Sequence, residues 1–189
     1  MPYTEVQEFA LANIVRVEVE TEEAVPKQYR LTDVATDAEV TAYVSEGKKE
    51  ELRVKNTIKA QNDMEDIVKG YDIKLISATM IAELLALVDG GTLRYTGEEP
   101  NQELAGYDAP VIGVPVKRTL FTLHVYTEEK DADGTTMSYV KFTYKHCKGK
   151  PVNYIQKDGS FFVPEFLAAS RPKQGESPVS IDFLKELPA

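Results

Sequence analysis

The sequence contains no tryptophan, a single cysteine and two histidines in 189 residues. One thiol, Cys147, excludes a disulfide framework and a multi-cysteine metal site within one chain, and it fits folding in a reducing compartment. His124 and His146 fall in β-patterned segments, without an i,i+4 helical pair or His-x-Glu spacing, so ordinary strand histidines are expected rather than metal ligands. His146 is adjacent to Cys147, but neighbours on a strand point to opposite faces, which argues against a nucleophile and base pair. The acidic run Asp63, Glu65 and Asp66 lacks the alternating ligands and terminal glutamate of a calcium loop and reads as solvated surface. Gly90-Gly91 lacks the glycine spacing and the Lys-Ser/Thr of a phosphate loop, and no Gly-x-Ser-x-Gly elbow occurs. The expectation is therefore a non-enzyme, with no catalytic residue, no cofactor and no metal.

Other absences bound the class further. No apolar stretch approaches the roughly 20 residues of a membrane helix. Met1-Pro2-Tyr3-Thr4-Glu5 has neither the basic region nor the apolar run of a secretory signal, so synthesis and folding in a cytoplasm are expected. Basic residues are outnumbered, 22 Lys and Arg against 31 Asp and Glu, for a net charge of -9. A broad phosphate-neutralising patch is excluded by that balance, and Lys145–Lys150, the most basic run, is too short to supply one.

What is present is a period of two. Val15, Val17 and Val19 alternate with Arg16, Glu18 and Glu20, as in a half-buried strand. Glu39–Ser45 alternates likewise, and Glu51–Ala60 reads as a strand with Leu52, Val54 and Ile58 inward. A Ser45-Glu46-Gly47 turn between these two runs predicts a hairpin. Gly70–Ser77 is a further strand. Lys117–Thr127 carries apolar residues on both faces and is expected to be covered on both. Asp133-Gly134 predicts a hairpin into Met137–Lys148, where Val140, Phe142 and Tyr144 share a face. Ser160–Ala169 and Val179–Leu184 are the last strands.

The exception is Met80–Val88, whose apolar residues follow helical spacing. Glu83 favours the helix start, Ser77 or Thr79 is available to cap it, and Gly90 supplies a left-handed stop. Residues 97–115, rich in Gly and Pro, read as an extended loop. The expected fold is mainly β with one α-helix, a β-sandwich or partly open barrel in a single domain over residues 1–189.

Three segments carry a resemblance. They are Gly70-Tyr71-Asp72-Ile73-Lys74-Leu75 with the following helix and Asp89-Gly90-Gly91-Thr92-Leu93; Tyr107-Asp108-Ala109-Pro110 with the aromatic hairpin and Tyr139-Val140-Lys141-Phe142; and Asp158-Gly159-Ser160-Phe161-Phe162-Val163-Pro164-Glu165-Phe166 with Leu184–Pro188. Together, over about residues 65–188, they resemble the major tail, or tail tube, proteins of siphophages and prophages of Gram-positive bacteria.

The resemblance implies a structural subunit of the virion tail, made in the bacterial host. It implies self-association into rings, typically of six, that stack into a hollow tube through which DNA passes during ejection. It implies other tail proteins as partners (tape measure, terminator and baseplate), and no membrane. An acidic lumen would repel phosphate, the reverse of counterion-release binding. Residues 46–69 are the candidate ring-to-ring loop, because Lys48, Lys49, Glu50, Glu51, Arg53 and Lys55 present both signs of charge. Two alternatives remain open. One is the tube of a contractile tail, a phage-like bacteriocin or an Hcp-like secretion ring. The other is a monomeric carbohydrate-binding β-sandwich, although the chain lacks the tryptophan such platforms often use.

Overall fold

The computed structural model describes residues 6–31, 35–77, 79–98, 100–154 and 156–188, with the side chains of residues 35 and 36 excepted. Met1–Glu5, read above for signal features, lies outside them. Among the described residues the protein is mainly β with one helix. In chain order the elements are β1 (Leu11–Thr21), β2 (Gln28–Leu31), β3 (Ala35–Ser45), β4 (Lys49–Val54), β5 (Thr57–Asp63), β6 (Ile67–Ser77), α1 (Ala82–Asp89), β7 (Thr92–Thr96), β8 (Glu103–Asp108), β9 (Leu120–Lys130), β10 (Thr136–Gly149), β11 (Glu165–Ser170) and β12 (Ser180–Leu184).

The main sheet runs β2-β1-β9-β10-β11-β6-β3 and is antiparallel throughout, with β12 also on β10. It stays open, with β2 and β3 as its outer strands. β10 is the shared strand. Tyr139–Thr143 pair with β12 and Cys147–Gly149 pair with β11, so two short strands divide one edge of β10. Alternation places Val17, Val19, Leu123, Val125 and Tyr144 on the inner face, in one cluster with Ile73, Leu75, Phe166 and Ala168 of the β6 and β11 half. Each such buried side chain contributes about 1.5–3 kcal/mol of transfer free energy.

The helix begins two residues later than its periodicity suggests. Its N-cap is Ile81, which makes no side-chain capping bond. Ser77 instead donates to the Thr79 carbonyl at 2.5 Å. The eight-residue helix is too short to persist by propensity, so burial of Leu84, Leu85 and Val88 against the sheet holds it. The predicted stop is observed: Gly90 has φ 84° and its N–H donates to the Ala86 carbonyl at 2.9 Å. Arg118 Nε caps the last turn, at 3.1 Å from the Val88 carbonyl and 2.9 Å from that of Asp89.

Three local expectations are corrected. Residues 97–115 are not one extended loop, since β8 pairs with β7 in a separate two-stranded sheet. β3 does not form a hairpin with β4; it pairs with β6. The predicted single strand 51–60 is itself a hairpin, β4 returning as β5 through Lys55-Asn56. Lys55 takes φ 53°, the left-handed value that a tight two-residue hairpin turn demands.

Candidate assembly interface

The β4–β5 hairpin continues the β3–β6 pair away from the core, and every residue of both strands is exposed. Leu52, Val54 and Ile58 are therefore not inward as their alternation suggested; each is about half exposed, as is Met64 at the base. A lone two-stranded hairpin is marginal in water, and exposed aliphatics on both of its faces, Leu52 and Val54 on one and Ile58 beside Arg53 on the other, make it a candidate contact surface.

The six charged residues predicted as contacts all lie on this arm. Lys48 pairs with Glu50, and Lys49 Nζ lies 3.4 Å from Asp63 across the hairpin. Both pairs are well exposed, so they add little stability by themselves. Glu51 stands opposite Gln61 and Arg53 opposite Ile58. Among the described residues, Glu51, Arg53 and Lys55 have no ion-pair partner, and so their charges are available to a neighbour.

Two joints position the arm. At its base the Gly47 N–H donates to Asp66 Oδ1 at 2.7 Å and the Met64 N–H to the Lys48 carbonyl at 3.2 Å. A Cβ on Gly47 would sit 1.7 Å from the Met64 carbonyl oxygen, so only glycine permits this approach. At its root, the Arg171 guanidinium lies 4.2 Å from the Tyr43 ring centroid and donates to Asp72 Oδ1 and the Tyr71 carbonyl, each at 2.8 Å. Lys150 Nζ reaches the same Asp72 oxygen at 3.0 Å. Burial pushes the Asp72 carboxyl up, but the hydrogen bonds from Arg171 and Lys150 outweigh it and hold the group below its ordinary range.

Of the residues weighed for chemistry, the histidines and Cys147 lie apart from the arm and the acidic run lies on it. Among the described residues, no three His, Cys, Asp or Glu side chains gather as a metal site would need, and no helix is long and apolar enough to cross a membrane. Asp63 and Asp66 of the acidic run are engaged in the arm contacts above. His124 Nδ1 lies 3.0 Å from Thr143 Oγ1, with burial, and then Lys141, pushing its pKa down.

His146 is not a regular strand residue. It has φ 50° within a register shift between Tyr144 and Cys147. Its Nδ1 is 2.6 Å from Glu22 and its Nε2 3.2 Å from Glu176. Cys147 is fully buried beside it, with Sγ donating to the Tyr144 carbonyl at 3.3 Å and burial pushing the thiol up to about 12. Sequence reasoning missed a second exposed apolar feature. Val111, Ile112 and Val114, between Pro110 and Pro115, form a loop in which Ile112 is 99% exposed. The signal was present in the order Val-Ile-Gly-Val, read only as loop.

No known protein family matches the sequence, and no curated protein matches it. Six chains of solved structures match. One of them, in the six-fold symmetrised cryo-EM structure of the anti-feeding prophage baseplate, is similar over 95% of this chain and 97% of that one, with a TM-score of 0.40 and 9% identity.

Proposed function

We propose that this chain is a structural subunit of a phage-type tail tube, associating with copies of itself into rings, six to a ring, that stack into a hollow conduit for DNA. The projecting arm carries the reading. A hairpin whose every residue is exposed, with Leu52, Val54 and Ile58 uncovered, is costly for a monomer to keep in water and is suited to a neighbouring copy. The unpaired Glu51, Arg53 and Lys55 set register between copies through charge of both signs. The open strands β2 and β3 and the Val111–Val114 loop offer further contact surface. A net charge of -9 per subunit suits a wall along which phosphate slides without being held.

The test is negative-stain microscopy with sedimentation of the purified protein at rising concentration. Rings or hollow tubes, lost on reversing the charges of Lys48, Lys49 and Arg53 together, are expected. A monomer that persists at high concentration and binds a sugar would overturn the reading in favour of a carbohydrate module. A sheath gene beside this one would assign the tube to a contractile tail.

A further inference from the structure

Arg16 projects from β1 on the face of the main sheet opposite the core, and yet its side chain is only 7% exposed. Its guanidinium lies 4.8 Å from the Tyr126 ring centroid. Nη1 donates to the Pro188 carbonyl at 2.8 Å and lies 3.5 Å from Glu18 Oε1. The other two nitrogens, Nε and Nη2, are buried and have no hydrogen-bond partner among the described residues. A buried N–H on a cation without an acceptor is expensive, and two on one side chain are more so. The two vacant donors are not scattered. Nε–H and one Nη2–H lie parallel on a single edge of the planar fork, the spacing that a carboxylate accepts in bidentate fashion.

We propose that this edge is a carboxylate-binding site. The surroundings supply both an entrance and a preference. A depression of about 530 Å³ is lined in part by Glu18, Arg30, Tyr126, Lys141 and Pro188, with Arg16 itself not reaching its wall. It shares Glu18, Tyr126 and Pro188 with the immediate surroundings of the guanidinium. The segment 185–188, which follows β12, forms part of the cover; among the described residues, the Arg16–Pro188 bond is the hydrogen bond that ties it to the sheet. For a ligand to enter, that segment would have to move aside and join the buried edge to the depression. Glu18 and Glu20 on the rim oppose a doubly charged phosphate, so a singly charged carboxylate is the fitting class. It has two sources: a small free carboxylate, or an Asp or Glu side chain of a second copy of this acidic chain.

The side-chain Nε–H resonance of Arg16, in the intact ¹⁵N-labelled protein, reads the site directly. Sodium acetate is titrated against sodium chloride and sodium phosphate at matched ionic strength, and the protein is separately concentrated without added carboxylate. A saturating downfield shift with acetate, absent with chloride and phosphate, identifies a free carboxylate. The same shift on concentration alone identifies a second copy. In Arg16→Lys, which keeps the charge but loses the fork, acetate protection against thermal unfolding should be about tenfold weaker in apparent affinity. An Arg16 resonance that responds to neither titration overturns the proposal. So does a resonance already shifted at low concentration that reverts in Glu18→Gln, because Glu18 of the same chain would then fill the edge.

Discussion

The hydroxyl of Tyr107 donates to Oδ2 of Asp89 at 2.5 Å, joining the β7–β8 hairpin to the C-terminal end of α1. Asp89 is buried, and its other oxygen accepts the Val152 N–H at 3.4 Å. Burial and then the Asp89 carboxylate push the Tyr107 phenol well above its ordinary range. Tyr107→Phe leaves a buried carboxylate short of a donor and should cost about 1–3 kcal/mol. Urea denaturation measures it; an unchanged midpoint would show that water replaces the hydroxyl.

Glu128 should shape acid stability. Hydrogen bonds from Asn13 at 2.5 Å and Thr136 at 2.7 Å, with Lys130 at 3.1 Å, hold its carboxyl down to about 2 from an ordinary 4.5. A depressed pKa stabilises the fold above the unfolded value, and that contribution is lost as pH falls. The stability difference between the native protein and Glu128→Gln should be constant above 4.5 and shrink steadily as the pH approaches about 2. Melting temperatures across that range test it, and a pH-independent difference would refute it.

Cys147 should be silent to thiol reagents in the native state. It is fully buried and its pKa is about 12, so thiolate is scarce and inaccessible at neutral pH. Labelling with a chromogenic disulfide should proceed at the rate of unfolding and accelerate with denaturant. Stoichiometric labelling within seconds in buffer would contradict the burial.

Leu52→Glu and Ile58→Glu should separate folding from association. Both side chains are exposed on the arm, so stability of the monomer should change by no more than about 0.5 kcal/mol. Assembly should be lost, since each substitution places a charge in the proposed contact. Chemical denaturation and sedimentation on the same samples read the two effects. Loss of folding would mean that the arm packs on its own chain.

The legible parts of the sequence were those whose signal is local. Val140 and Tyr144 alternate with polar residues because β10 has one buried face, and Gly90 marks the helix end because few other residues adopt its backbone angles. The arm was misread for a physical reason. Alternation in Leu52 and Val54, with Ile58 read as their continuation, took no account of the turn at Lys55-Asn56, which puts Ile58 on the face of Arg53 and leaves all three exposed. The division of β10 between β11 and β12 depends on pairings 19 to 45 residues apart in the chain, which periodicity does not encode. The unpartnered edge of Arg16 was equally hidden, since Arg16 alternates as a solvent-facing residue and is covered by Tyr126 and by the distant segment ending at Pro188.

The base of the arm has a mechanical consequence. β4 spans six residues, so at about 3.4 Å per residue the hairpin reaches roughly 20 Å beyond its base. Its base is fixed where Gly47 approaches Met64 and bonds Asp66. Over that length a rotation of about 10° sweeps the tip through roughly 3.5 Å, close to one residue's rise along a strand. The Gly47–Asp66 hydrogen bond is therefore placed where a small change of angle would have its largest effect at Lys55.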